Sequence, residues 1–204
     1  CIVESGHVRK LLLYDLRRGV DIKCCAMEKA TTLALEEADP AYAAAYLDMA
    51  KEYLLSDVLA HERNMFQSAV DDLDGHIRRL MDQSLGRCLD AGMVPQTTFW
   101  LLDGGVVVGT SRLRHELTPQ MLRESGHIGY GIRPSRRGMG YGNEICRLTL
   151  GRARQLGMQR VLLTCKDTNI PSARIIENNG GVLENKVVSR ETGAIMRRYW
   201  IDLR

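Results

Sequence analysis

The spacing of hydrophobic positions along the 204-residue chain changes several times, and each change marks a structural element. Thr31 to Leu35 (TTLAL) reads as a first strand, and Asp39 followed by Pro40 supplies a side-chain cap with proline at the first helical position. Ala43, Tyr46, Leu47, Ala50 and Leu54 recur at helical spacing to about Leu55, and Ile77, Leu80, Met81, Leu85 and Leu89 mark another helix from near Asp74. Residues 56–73 between them follow neither the helical nor the strand period. Pro95 closes this region, after which Thr98 to Leu102, the turn Asp103-Gly104-Gly105 and Val106 to His115 predict a hairpin, followed by a strand from Gly126 to Arg133.

After Asn143 the period returns to 3.6, with Ile145, Leu148, Ala153 and Leu156 on one stripe and Gly157 placed to end the helix. Arg160 to Cys165 is a buried strand, and Asn169 to Asn179 a short helix stopped by Gly180-Gly181. Two closing strands, about Val182 to Val188 and Ile195 to Asp202, meet at a polar turn around Thr192-Gly193. This order predicts an α/β fold: a mixed, mostly antiparallel central sheet with flanking helices.

The first 26 residues lack the long apolar stretch of a secretory signal; they read as an extension outside the core, with Met27 as a natural start and residues 27–204 as one domain. No apolar run reaches the roughly 20 residues of a membrane helix. Six scattered cysteines without a CxxC pair or matching histidines predict neither a zinc site nor a disulfide framework, and fit a cytoplasmic protein with reduced thiols. Cys146 and Cys165 fall where a small core hydrophobe is expected. His61-Glu62-Arg63 and His76 read as a solvated helix face, and Trp100, Tyr199 and Trp200 as strand packers.

Charge is unevenly distributed. Ala34 to Asp90 holds 12 acids against 5 bases, whereas Ala91 to Arg204 holds 9 acids against 17 bases. A basic half suits nucleic acid or a polyanionic cofactor, and the lack of aromatic-basic interleaving favours the cofactor.

The anion site is set by Ile132-Arg133-Pro134-Ser135-Arg136-Arg137-Gly138-Met139-Gly140-Tyr141-Gly142, between a strand and an amphipathic helix. Glycines let successive backbone N–H groups turn inward on a phosphate, the next helix adds its uncapped N–H groups and dipole, and Arg136 and Arg137 reinforce them. No GKS or GKT follows, which excludes a P-loop. The preceding strand follows a hairpin and no acid lies between Gly151 and Lys166, which argues against a dinucleotide fold.

Arg137-Gly138-Met139-Gly140-Tyr141-Gly142 resembles the Arg/Gln-x-x-Gly-x-Gly/Ala signature of the GNAT N-acetyltransferases, and Asn169 through Gly181 resembles that family's second motif, an asparagine opening a helix that ends at glycine. The resemblance implies two splayed strands, Gly126 to Arg133 and Arg160 to Cys165, with the pantetheine arm of acetyl-coenzyme A between them and no metal. It implies cofactor contacts from Ile132, Arg133, Arg137, Gly138, Met139, Gly140, Tyr141, Gly142, Asn169 and Ser172, with the Ile132 N–H polarising the thioester carbonyl. Many relatives carry a tyrosine that protonates the leaving thiolate where this chain has Ile176. Tyr141, Tyr130, Tyr199 or solvent are the alternatives. For the base that deprotonates the amine, His127 and Glu124 are nearest, and Tyr199 is a candidate to face the acceptor.

Because the resemblance implies an acceptor pocket built by the N-terminal helices and final strands, Asp57, Glu62, Asp71, Asp72 and Asp74 suggest a negative rim. Such a rim favours a small cationic amine, polyamine or aminoglycoside-like, with a role in antibiotic resistance among the possibilities. A protein-amine acetyltransferase and a non-catalytic acyl-CoA sensor are the rival readings. A homodimer is expected by analogy alone.

Overall fold

The computed structural model describes residues 33–56 and 60–204, with the side chains of residues 60–62 outside the description. The expected N-terminal extension and Asp57 therefore lie outside the described residues, as do the side chains of His61 and Glu62. Strand β1 (Leu33–Glu37) leads into a 3-10 turn at Pro40–Tyr42, capped by the Asp39 side chain, and then three helices: α1 (Ala43–Leu54), α2 (Ala60–Asp71) and α3 (Leu73–Ser84). The hairpin β2 (Gln96–Asp103) and β3 (Val106–Arg114) follows, then α4 (Pro119–Glu124), β4 (Ile128–Ile132), α5 (Tyr141–Gln155), β5 (Arg160–Lys166), α6 (Ile170–Asn178), β6 (Val182–Val188) and β7 (Ile195–Asp202). Helix α2 occupies the stretch whose sequence follows no clear period. The short α4, capped by the Thr118 side chain, precedes β4 in a stretch with no helical stripe of its own.

The seven strands form one sheet in the order β1-β2-β3-β4-β5-β7-β6. All neighbours are antiparallel except β4 and β5. Strand β2 is buried almost throughout because both its faces are covered, and its alternation sorts side chains between two cores. Phe99 and Leu101 join Ile145, Leu150 and Ala153 of α5 and Ala173 and Ile176 of α6. Trp100 and Leu102 join Tyr46, Met49 and Tyr53 of α1, Phe66 of α2 and Ile77 of α3.

One polar group of the second core corrects the sequence reading. His76 is buried, 4% exposed, rather than part of a solvated face. Its Nε2 meets the Tyr46 hydroxyl at 3.2 Å and its Nδ1 the Ser68 hydroxyl at 3.0 Å, while Arg79 donates to Ser68 at 2.9 Å. Burial, helped by the Arg79 charge, lowers its pKa to about 4, so the imidazole is held neutral. Trp100 and Tyr199 are core packers as expected, and Cys146 and Cys165 are buried free thiols, that of Cys146 pushed up to about 12 by burial.

No described helix is long and apolar enough to cross a membrane, and no three His, Cys, Asp or Glu side chains among the described residues gather as metal ligands would.

Candidate functional site

The site begins where the sheet comes apart. Strands β4 and β5 share a single parallel pair, Ile128 with Leu163, and have no pairing beyond it. Along β4 the opposite edge stays zipped to β3: Arg133 N donates to Val108 O at 2.9 Å, and the register pairs Gly131 with Thr110 and Gly129 with Arg112. In an antiparallel ladder the main-chain groups of alternate residues face one neighbour, so those of Gly129, Gly131 and Arg133 serve β3. The N–H and C=O groups of Tyr130 and Ile132 consequently face the widening gap. A strand edge left without a partner inside a sheet is a ready place for an extended ligand to complete the ladder.

At the open end of the gap the chain makes a 3-10 turn over Pro134–Arg136 and then passes Gly138 (φ 77°) and Gly140 (φ 86°) before α5 starts. Both glycines take the left-handed backbone region that side chains resist. Gly140 caps α5 without a side-chain acceptor, so the Tyr141 and Gly142 N–H groups and the helix dipole are available to an anion. Gly142 serves packing: a β-carbon there would lie 2.5 Å from Ile175 Cδ1 of α6. Met139 stands exposed on the turn.

The arginines around this turn have separate tasks. Arg133 Nε donates to Glu52 at 2.5 Å and its Nη2 to Asp48 at 2.8 Å, while Ser135 N donates to Glu52 at 2.7 Å. Its guanidinium thus ties the turn to α1. Arg137 Nε donates to Ile132 O at 3.2 Å, with its guanidinium carbon 5.8 Å from the Tyr53 ring centroid. Arg136 is half-buried on the same turn.

Across the gap, Asn169 caps α6 by accepting from Ser172 N at 3.1 Å. The Ser172 hydroxyl lies 3.2 Å from the hydroxyl of Tyr130, which projects from β4 toward α6. Burial raises the Tyr130 phenol above its ordinary range, only partly opposed by Ser172, so it keeps its proton. The other tyrosines are engaged elsewhere. Tyr141 donates to Asp103 on the β2–β3 hairpin. Tyr199, fully buried, donates to Glu177 at 2.9 Å. Ile176 is sealed in the core at 1% exposure and offers no proton donor.

Neither expected base is brought to the open end. His127 precedes β4 at its closed end, five residues and roughly 16 Å along the strand from Ile132. Its N–H donates to Leu162 O at 2.7 Å and its Nδ1 accepts from Leu162 N at 2.9 Å. Burial and the nearby Arg114 charge lower its pKa to about 4. Glu124 ends α4, and accepts from Arg190 N at 2.8 Å and Ser189 Oγ at 2.6 Å. These bonds hold its carboxyl below the usual range, the opposite of what a base needs.

On the α1–α3 face of β4 lies a cavity of about 190 Å³ that sequence reasoning did not anticipate. Tyr53, Met65 and Phe66 wall it, Thr110 and Arg112 border it, and Gly129 and Gly131 form its floor. The alternation of glycine with larger residues in Gly129-Tyr130-Gly131-Ile132 was the available signal: it strips one face of the strand. None of Asp71, Asp72 and Asp74 lines it; Asp72 caps α3 and Asp71 accepts from Gln67. Glu36, Glu37 and Asp39 line a different hollow beside Arg152. The expected acidic rim is therefore absent from the cavity lining among the described residues.

A parted strand pair, a glycine turn and a bare helix N-terminus coincide with a match of residues 33–182 to the acetyltransferase (GNAT) domain family. The chain belongs to the GNAT acetyltransferase family. GNAT members use acetyl-coenzyme A as acetyl donor, and the unpartnered β4 edge and uncapped turn are a fitting cradle for it. Solved structures share the fold. A putative acetyltransferase, yncA, of Salmonella typhimurium, determined with acetyl-CoA, is 16% identical over 84% of this chain and 94% of its own, with a TM-score of 0.58. An acetyltransferase of the same organism that modifies the N-terminal serine of a ribosomal subunit protein is 15% identical over 85% and 96%, at 0.60. A spermidine N-acetyltransferase chimera from Vibrio cholerae and hSSAT is 16% identical over 85% and 96%, at 0.57. At such identities the likeness is one of fold. No curated protein matches the sequence.

Proposed function

We propose that this GNAT domain transfers the acetyl group of acetyl-CoA to a primary amine that enters through the cavity between α1, α2 and β4. The observation that carries this reading is the parting of β4 and β5 after Ile128 and Leu163, directly before the glycine turn. Acetyl-CoA supplies an activated thioester whose carbonyl oxygen gains negative charge as an amine attacks. The gap-facing N–H of Ile132 suits that oxygen, a preorganised donor being worth roughly 3 to 4 kcal/mol. The N–H groups of the Gly138 to Gly142 segment, with Arg136 and Arg137, suit the diphosphate, and Asn169 and Ser172 the pantetheine arm. Arg133 supports the turn through α1.

The Tyr130 phenol, paired with Ser172, is the proton donor we assign to the departing thiolate, standing in for the tyrosine that Ile176 replaces. With no carboxylate or imidazole lining the cavity among the described residues, the amine's proton passes to water.

A cavity of about 190 Å³ is smaller than the roughly 300 to 1,000 Å³ of typical ligand pockets, so it takes the amine-bearing end of an acceptor and not a whole aminoglycoside. A slim polyamine end fits by shape. A peptide amine is the second reading, supported by the fold neighbour that modifies an N-terminal serine. Thiol release from acetyl-CoA with a panel of diamines, polyamines, aminosugars and peptides tests both. Turnover of slim amines supports the first reading and turnover of peptides alone the second. Tight acetyl-CoA binding with no turnover at all would make the domain a sensor instead.

A further inference from the structure

The cavity beside β4 owes its space to two missing side chains. In the β3–β4 ladder, Thr110 opposes Gly131 and Arg112 opposes Gly129, so these four residues share the face toward α1 and α2, while Ser111 and Tyr130 point to the other. A β-carbon on Gly131 would sit 2.9 Å from the Tyr53 hydroxyl oxygen and 3.9 Å from its Cζ. One on Gly129 would meet nothing nearer than Arg112 Nη2 at 4.0 Å. The Tyr53 ring is itself fixed by stacking on Phe66, with centroids 4.2 Å apart. Its hydroxyl is thus held over Gly131, one residue before the gap-facing Ile132 N–H.

We propose that Tyr53 and the Gly129–Gly131 floor form a shape filter that admits an unbranched primary-amine arm and rejects an amine branched at the carbon bearing nitrogen. Tyr53 is its specificity-determining residue. The inference rests on the acetyl-transfer reading above and adds the acceptor class. A branch next to the reacting nitrogen would need the volume the Tyr53 hydroxyl occupies over Gly131. A linear arm runs along the bare floor between the aromatic wall and β3.

The test compares n-butylamine with sec-butylamine, an isomer of equal mass, as acceptors by thiol release, with acetyl-CoA affinity followed by calorimetry. The wild-type protein prefers the linear amine by tenfold or more in kcat/KM, in the range of about 10- to 200-fold that one methylene is worth in a fitted pocket. Gly129→Ala, which fits without a clash, lowers kcat/KM for n-butylamine about tenfold at unchanged acetyl-CoA affinity. Tyr53→Leu narrows the preference between isomers to threefold or less. Gly131→Ala loses amine transfer, and adding Tyr53→Phe, which removes the atom at 2.9 Å, restores part of it. Equal use of both isomers by the wild-type protein, an n-butylamine kcat/KM unmoved by Gly129→Ala, or a preference unmoved by Tyr53→Leu overturns the filter while leaving acetyl transfer intact. Absence of thiol release with any amine overturns the transfer reading and the filter with it.

Discussion

The face of the sheet that carries α5 and α6 and the face that carries α1 to α3 are built from different materials. On the first, the surroundings of the gap are made of main chain: unpartnered N–H groups of β4, two left-handed glycines and an uncapped helix end, backed by an aliphatic core. On the second, the cavity is walled by side chains, with Tyr53 stacked on Phe66 beside Met65, and a buried histidine network lies behind them. Main-chain donors cannot be altered by ordinary substitution, whereas side-chain walls can be reshaped one residue at a time. Changes that disturb the main chain of the glycine turn should therefore weaken donor binding for every acceptor, and changes to the second face should alter which acceptor is used.

The largest expected effect lies on the first face. Gly140→Asp places a carboxylate at the end of α5 that should receive a diphosphate, on a backbone at φ 86° that resists a side chain. Acetyl-CoA affinity by calorimetry should fall at least about a hundredfold with the fold intact by circular dichroism, since no atom lies within 4 Å of the added β-carbon. Next, Tyr130→Phe should lower kcat by roughly a hundredfold with acetyl-CoA affinity within about twofold, the size of a lost general acid.

The second face should reveal itself through acid. His76 has its folded pKa lowered to about 4 against 6.5 for an ordinary histidine, so the unfolded chain binds the extra proton between those values. Its stabilising contribution is thus complete above pH 6.5 and is lost as pH falls toward 4, by at most about 3 kcal/mol. The difference between the urea-unfolding profiles of the wild-type protein and a His76→Gln variant across that window measures it, because His127, also lowered to about 4, titrates there too. A difference that does not vary with pH would show that His76 is not held neutral.

The smallest effect sharpens the boundary of the site. His127→Ala should change kcat by less than about threefold, because the imidazole sits at the closed end of the gap. It should cost stability of roughly 1 to 3 kcal/mol by leaving the Leu162 N–H without its acceptor. A rate loss of a hundredfold at unchanged stability would return His127 to the chemistry.

What the sequence reveals divides along the same line. The α5 stripe of Ile145, Leu148 and Ala153, the Asn169 cap and the glycine turn are legible because local rules fix them: period, cap chemistry and φ. Leu156 departs from that stripe, exposed just past the last helical residue. Helix α2 is illegible because its burial depends on Tyr53 and Tyr46 of α1, distant partners for Phe66 that no period within residues 56–73 announces. The solvated reading of His76 fails for the same reason, since its Tyr46 partner lies 30 residues away. Glu124 and Tyr199 are the right residue types for catalysis. Their partners Arg190 and Glu177 come from other elements and commit them to structure.

The proposed seat of acetyl-CoA is the gap-facing edge of β4 together with the start of α5. Amide hydrogen exchange, with and without acetyl-CoA, tests it residue by residue. The N–H groups of Tyr130, Ile132, Tyr141 and Gly142 should slow at least about tenfold on binding while those of the distant edge strand β6 do not change. Saturating acetyl-CoA that leaves these four amides exchanging as before would contradict it.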